Sequence, residues 1–453
     1  MFRNSTTAPA ILAIAVLLAW FNALTASFQF DDFNVIVNNP AVHSLEAWWN
    51  SMPGIRPLLK LSYALNWTVS SGAFGFHLFN VLVHAANAVL VFLLLRALRP
   101  GMADSPLPFV IAMLFALHPV QTEAVTYVCG RSVSLMALFY LGSLIAHVHA
   151  GSAAFPWRWR IASACLFAAA LMVKETAVTL PLALLLIDNV RQKPSFTSAL
   201  KRQALHLLVL AAAMAVAMLL SPTYRHLLEV SLAIRPFLAN LLTQANAITY
   251  LVQQLLMPWN LNADPDLPVV MQASNAFMLQ GLLVAAVIVY GLSRLGRRPW
   301  GGFGLTWFFI HLLPTNSLLP RFDVANDRQL YLACIGIFLV VVIDGAWLLE
   351  KIGRPRIARA ATALLIIGLG IATAMRNQVY ATPVDFWEDA AVKSPAKPRV
   401  HNNLGWAYQQ AGRRAEARLS YLQALELDPD YWRARINLDV LDNADVKTAP
   451  GSQ

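Results

Sequence analysis

Long apolar runs recur along this chain, separated by short polar turns, and they stop after Met375. Their length suits helices that cross a bilayer, where about 20 apolar residues are needed. The runs fall at about 8–26, 76–95, 106–120, 132–150, 160–173, 177–190, 204–220, 276–293, 301–319, 329–349 and 357–375. Basic residues gather at alternate gaps: Arg3, Arg96 with Arg99, Arg158 with Arg160, Arg191 to Arg202, Arg294 to Arg298, and Lys351 to Arg359. Lys and Arg mark the inner side of a membrane. The pattern therefore predicts about eleven spans, an inner N-terminus and an outer C-terminal part.

The stretch 237–257 is apolar enough to resemble a span, but a crossing there would put Arg294, Arg297 and Arg298 outside. It carries Asn240, Thr243, Gln244, Asn246, Gln253 and Gln254 opposite a row of leucines. We read it as an amphipathic helix lying in the outer interface.

The first outer loop, 27–75, is long, and long plain loops are uncommon in compact proteins. Ile55, Leu58, Leu59, Ser62 and Leu65 recur at helical spacing, and Trp48, Trp49 and Trp67 suit the headgroup level. One or two short surface helices are expected there. The loop opens with FQFDDFNVIVNNPAVHS and its adjacent carboxylates Asp31 and Asp32. Such a pair can act as a general base, bind a cation or mark a solvated turn. In the next span His77, Asn80, His84 and Asn87 share one face. They read either as hydrogen-bonding glue between helices or as the wall of a polar cavity.

Composition supports the membrane reading. Of 453 residues, 58% are hydrophobic and 13% charged, against roughly 25% charged in soluble domains. The net charge of +10 comes from clusters between apolar runs, which argues against a nucleic-acid partner. Cys129, Cys165 and Cys334 lack the close spacing of a zinc site or disulfide framework. Residues 1–27 also fit a secretory signal peptide; an uncleaved first helix is preferred, and either places Asp31 and Asp32 on the far side.

After residue 375 the pattern changes. Leu404, Gly405, Tyr408, Ala417, Tyr421, Ala424 and Pro429 fit one 34-residue tetratricopeptide repeat. Phe386, Trp387, Ala390 and Pro395 fit the second helix of a preceding half repeat, and Arg433 to Leu438 begin another. One repeat rarely buries a core alone, so it should pack on the membrane part, another chain or an acceptor. The expected organisation is a membrane domain over 1–375, repeats over 376–443 and a disordered tail over 444–453.

The outer face collects ionisable residues at helix ends, among them Arg56, Glu123, Arg131, Lys174, Glu175, Arg225, Arg235, Asp264, Asp266, Arg321, Asp323, Asp327 and Arg328. Charges held near hydrocarbon pair with each other or bind something, and guanidinium groups match phosphate geometry. Asp264 and Asp266 read as solvated loop residues. His118, His147 and His149 lack metal-ligand companions, and no Gly-rich phosphate loop, HExxH or GxSxG occurs.

The stretches FDDFNVIVNNPAV, RPLLKLSYALN, HLFNVLVHAANAVL, FALHPVQTEAVTYVCGRS, KETAVTLPLALLLID and NDRQLYL together resemble the GT-C class of membrane glycosyltransferases that use a polyprenyl-phosphate sugar. They are most similar to the transmembrane and tetratricopeptide-repeat-containing protein O-mannosyltransferases and their bacterial relatives. The resemblance covers about 20–345 and, more loosely, the repeat. It implies an all-α GT-C-type membrane fold followed by a short extracytoplasmic repeat domain. It implies that Asp31 or Asp32 is the catalytic base while its neighbour orients acceptor or sugar. It also implies that Arg56, Arg131, Lys174, Arg321 and Arg328 hold the donor phosphate. Glu123, Glu175, His77 and His118 are the acceptor or sugar candidates. Animal relatives carry many repeats, and this chain has one or two.

The implied reaction transfers a sugar from a polyprenyl-phosphate donor to a hydroxyl of protein Ser/Thr or of an envelope glycan, on the outer face of a bacterial inner membrane. A phosphate leaving group needs no protonation, so a base and fixed cations suffice, with inversion, an oxocarbenium-like transition state, and no metal or cofactor required. Expected partners are the lipid-linked sugar, membrane lipid and a protein acceptor docked on the repeat. Two other readings stand: a transporter or flippase of lipid-linked substrates, which would favour charges near mid-membrane, and a non-catalytic envelope scaffold built on the repeat.

Overall fold

A computed structural model describes residues 7–448 apart from 52–53, 99–101, 103–104, 273, 297–298 and 318. Arg3, Arg99, Arg297 and Arg298 lie outside the described residues, as does the end of the expected tail, 449–453. The described residues form helices and turns with no strand. Six helices are long and apolar enough to cross a membrane: Ala73–Leu98, Val128–Ala150, Thr197–Leu220, Asn275–Arg294, Asp327–Ile352 and Pro355–Gln378. A bent pair, Leu107–Leu117 and Pro119–Val125, meets the same test when taken together, with a 53° break between its halves, the form of a broken span or a re-entrant loop. The other expected spans are helical but shorter: Thr7–Ala19, Pro156–Val173, Leu180–Arg191 and Pro299–Leu312. The chain has the make-up of a multi-pass membrane protein; of the about eleven expected crossings, six, or seven with the bent pair, meet the length and apolarity of a full crossing among the described residues, and the remaining four are shorter helices.

The bend at 118–119 follows from sequence. A residue before proline avoids the helical region, and His118 is extended (φ −77°, ψ 129°). Its Nδ1 accepts the Val120 N–H at 3.1 Å, and its Nε2 lies 3.2 Å from the Leu255 carbonyl. His118 therefore caps and braces the broken helix. It was expected to bind acceptor or sugar, but both ring nitrogens are engaged by backbone.

The packed centre comprises Ala73–Leu98, Leu107–Leu117, Arg131–Ala150 and the first half of Leu330–Ile352. The polar stripe of the second span is resolved in favour of glue. Asn80 donates to the Val125 carbonyl, His84 lies 2.8 Å from the Tyr331 hydroxyl, and Asn87 donates to the Ser134 carbonyl and to Tyr331. His77 is buried beside them with neither ring nitrogen within hydrogen-bonding geometry of a partner among the described residues. Helices Pro299–Leu312 and Leu330–Ile352 cross backbone to backbone at Gly304 and Gly336, where a Cβ on either would strike the other.

Phe237–Leu256 does not qualify as a crossing, and it is amphipathic as expected. Its orientation differs from that of a helix resting on an interface by its apolar face alone. Asn240, Thr243, Gln244 and Gln254 face the protein, while Phe237, Leu238, Leu241 and Leu256 are exposed. Two of the buried amides have partners there: Asn240 donates to the Ser317 carbonyl and Asn316 donates to Gln244, while the Gln254 amide has none among the described residues. In a lipid surrounding, the polar face belongs inside the protein.

The first outer loop holds two α-helices, Leu45–Ser51 and Pro57–Val69. The helix Pro222–Ala233 was not anticipated. The C-terminal helices Pro383–Lys393, Pro398–Gln410, Arg414–Leu427 and Trp432–Thr448 stack in sequence. They do not stand apart. Tyr380, Phe386, Trp387, Val400 and Leu404 share a core with Ala26 and Tyr127, and Trp387 and Trp406 meet Phe30 and Phe33 edge to face. Asp264, expected to be a solvated loop residue, is instead buried and ion-paired with Lys397 (2.5 Å) and with Arg399.

Candidate active site

The acidic loop is pinned at both ends. The Ser27 hydroxyl donates to the Ala381 carbonyl, and the Gln29 side-chain amide donates to the Tyr380 carbonyl. Phe30 then turns with φ of 40°, a region non-glycine residues rarely adopt. Such strain persists only where the surroundings enforce it, commonly at functional sites.

The two carboxylates have separate environments. Asp32 is fully buried, and its oxygens accept backbone N–H groups from Gln29 (2.9 Å) and Cys129 (2.7 Å). Burial pushes its pKa up to about 7, against the lowering effect of those hydrogen bonds. Asp31 is half-buried; its backbone N–H donates to the Tyr127 hydroxyl at 3.2 Å, and no hydrogen bond or ion pair engages its carboxylate among the described residues. Asp32 thus ties the loop to the 126–131 turn, and Asp31 is left available beside Tyr127, its charge reaching Arg328.

The basic candidates also divide. Arg131 was expected to hold donor phosphate. It is fully buried, with donors to Asn80 Oδ1 (2.7 Å), the Ser62 carbonyl (3.1 Å) and the Phe76 carbonyl (3.0 Å), and its guanidinium sits over Tyr63, Phe76 and Phe79. It lines neither of the two clefts described below, and with its donors engaged within the protein the geometry gives it a structural role in place of the expected phosphate role. Arg56 forms a two-pronged pair with Glu175 at 2.5 and 3.0 Å, which occupies both residues. Burial of Glu175 is outweighed by Arg56, which holds its carboxyl at about 2.

Lys174, Arg321 and Arg328 line one cleft together with Thr176, Asn326 and Gln329. Lys174 is buried and has only a long contact to the Ser132 hydroxyl, 3.4 Å, with no carboxylate in ion-pair range. Burial, then the charges of Arg56 and Arg328, hold its amine well below the usual lysine range. No described residue accepts a hydrogen bond from the Arg321 side chain. Arg328 is gripped by Glu123, which accepts both its backbone N–H (3.0 Å) and its guanidinium (3.1 Å). Glu123, expected at the acceptor or sugar, therefore positions Arg328. The side-chain amides of Asn326 and Gln329 have no partner within the described residues. Sequence reading missed both; NDRQLYL was singled out as a motif, but only its arginine was taken as a site residue. Among the described residues no group of three or more His, Cys, Asp or Glu could hold a metal ion.

A second, narrow cleft shares Arg328 and Asn326 with the first. Phe30, Tyr127, Phe386 and Trp387 contribute rings to it, with Glu123, Asp264, Asp323 and Arg399.

The fold and site together define a multi-pass membrane protein, helical throughout its described residues, with a cation-lined cleft and a tetratricopeptide repeat, and residues 398–431 match the tetratricopeptide repeat family. The chain is similar along nearly its whole length to proteins named as protein O-mannosyl-transferases, as its motifs implied. It is 23% identical over 442 residues to the Caenorhabditis elegans protein O-mannosyl-transferase F38B6.6, covering 93% of this chain and 63% of that protein. It is 24% identical over 518 residues to Drosophila melanogaster Tmtc3, covering 94% of this chain and 56% of that one. Drosophila Tmtc2 is 32% identical over a shorter stretch, 38% of this chain and 20% of its own length. The chain thus spans little more than half the length of the near-full-length relatives. A solved structure of the Archaeoglobus fulgidus oligosaccharyltransferase in the apo form is a distant likeness, with a TM-score of 0.46 at 13% identity over 85% of this chain and 58% of that one.

Proposed function

We propose that this protein is a membrane glycosyltransferase that moves a sugar from a polyprenyl-phosphate donor to a hydroxyl acceptor on the outer face of the membrane. The observation that carries the reading is the cleft where Lys174, Arg321 and Arg328 converge with little internal counter-charge. A cation buried without a partner is costly. A phosphate bound there would supply the missing charge, and Arg321 and Arg328 would grip its oxygens. The relatives named as protein O-mannosyl-transferases favour mannose as the sugar and a protein hydroxyl as the acceptor.

Asp31 is the general base in this reading. It takes the acceptor proton while the acceptor oxygen bonds to the anomeric carbon, and the C–O bond to phosphate breaks. The electron pair leaves on the phosphate, where the fixed cations stabilise it. Attack from the face opposite the phosphate inverts the anomeric centre. Asp32 is a positioning residue that holds Asp31 in place through the 29–32 turn. Arg56, Arg131 and His118 are not carried into this mechanism, because their polar groups are engaged elsewhere. Placement of the acidic loop outside the cytoplasm follows from the distribution of basic residues; a bacterial inner membrane would put the loop and the repeats in the periplasm.

The test is transfer by the purified full chain from polyprenyl-phosphate mannose to a Ser/Thr peptide. Asp31→Asn should lower the rate by about 10²–10⁴ with unchanged expression and thermal midpoint. Undiminished transfer by that variant would refute the assignment of the base. The transporter reading is less favoured, since the uncompensated cations gather in one cleft at helix ends rather than along a path through the spans.

A further inference from the structure

The second cleft has a composition of its own. Four aromatic side chains reach it from three parts of the chain: Phe30 from the acidic loop, Tyr127 from the turn before Arg131, and Phe386 and Trp387 from the helix Pro383–Lys393. Polar groups interleave with them, namely Glu123, Asn326, Asp323, Arg328 and Arg399. Aromatic faces beside amides, carboxylates and guanidinium groups suit a ligand with one apolar face and a rim of hydroxyls, as a hexopyranose has. The cleft has no free-standing cation cluster like its neighbour. Arg328 is held by Glu123, and Arg399 is shared between Asp264 and Asp323 (2.8 Å).

Asn326 supplies the second observation. It is buried, at 4% exposure, and neither its Oδ1 nor its Nδ2 has a partner among the described residues. Buried side-chain amides nearly always have partners. This one stands between the cation cleft and the aromatic cleft and lines both. A sugar attached to a phosphate in the first cleft would pass Asn326 on entering the second, and two vicinal hydroxyls could take both its donor and its acceptor.

We propose that the second cleft is a hexopyranose pocket and that Asn326 and Trp387 are specificity-determining residues in it. Trp387 belongs to the repeat-bearing C-terminal segment, so that segment forms a wall of the sugar site and is more than a docking arm for partners. The assignment rests on the phosphate reading of the neighbouring cleft, and the test separates the two.

The full chain, reconstituted in nanodiscs, is titrated with polyprenyl phosphate and with the same lipid carrying mannose. The sugar should tighten wild-type binding about tenfold. Trp387→Leu should erase that difference while binding bare polyprenyl phosphate as the wild type does, and Asn326→Ala, which lines both clefts, should bring the two lipids to equal affinity. Trp387→Phe, which keeps a ring, should retain most of it. In a second arm, transfer is measured to acceptor peptides with and without an attached hexose. A raised KM for the glycosylated peptide alone, in Trp387→Leu, would support the pocket and assign the ring to the acceptor. Equal weakening toward both lipids would overturn the proposal, since it would show a structural role for Trp387. Wild-type indifference to the sugar in both arms would overturn it as well. If neither lipid binds the wild type, the phosphate reading falls. The pocket is then decided by methyl mannoside alone: saturation-transfer signals seen with wild type and lost in Asn326→Ala support it, and their absence from wild type ends it.

Discussion

Arg131 and the trio of Lys174, Arg321 and Arg328 all lie toward one end of the membrane domain and look alike in sequence. Arg131 has its donors on carbonyls and amide oxygens and three rings around its guanidinium. The trio lines a cleft, with one weak contact to Lys174, one carboxylate partner for Arg328 and none for Arg321. A buried cation whose hydrogen bonds are complete contributes to holding helices together. One whose bonds are incomplete is an unmet demand for an anion. The number of charges therefore says less than the number of unengaged donors.

The sharpest way to break this contrast is at Arg131. Arg131→Met would leave the Asn80 side chain and the Ser62 and Phe76 carbonyls without their donor, and should destabilise the fold by about 3–5 kcal/mol. The measurement is a thermal or denaturant midpoint in detergent. A stable variant with weakened donor binding would reverse the roles assigned here. Lys174→Met should do the opposite. Removing an amine buried without a carboxylate partner should stabilise the chain by about 1–2 kcal/mol, while donor affinity falls about tenfold or more. Loss of stability with unchanged affinity would show that Lys174 resembles Arg131.

The acidic pair gives a comparison of the same kind, read by pH. The Asp32 pKa stands at about 7 when folded, against the ordinary aspartate value of 3.8 when unfolded. An acid whose folded pKa is raised is fully compatible with the fold below the unfolded value. It loses that stability as pH rises through the folded value. Stability should thus decline between about pH 4 and 7, and Asp32→Asn should flatten the slope. A wild-type midpoint that does not change across this window would contradict the burial of Asp32. The smallest effect belongs to Arg56 and Glu175. Their pair is partly exposed, so Arg56→Gln should change stability by less than about 1 kcal/mol and leave affinity for bare polyprenyl phosphate intact. A tenfold drop in that affinity would return Arg56 to the phosphate site.

Much of the architecture was legible because it is written in local pattern. The apolar runs gave the helices, the spacing of Leu404, Gly405, Tyr408, Ala417 and Tyr421 gave the repeat, and the pre-proline position of His118 accounts for the break. The span count was less legible. Runs such as 177–190 and 301–319 are apolar because they pack among other helices, and the helices they form are short. The orientation of Phe237–Leu256 required knowing what lay against its amides. Asp264 was read as solvated because its partners, Lys397 and Arg399, are more than a hundred residues away.

The candidate site divides along the same line. Sequence alone determined which charged residues sit at helix ends and that an acidic pair opens the long loop after the first helix, since both depend on short-range order and hydropathy. Only the tertiary structure decided that Asp32 is an anchor and Asp31 is available, that Arg131 is engaged and Lys174 is not, and that Trp387 reaches the cleft. Those distinctions depend on which donors meet which acceptors across distant segments. Hydrogen bonding and burial are set by proximity in space, which a linear pattern does not carry.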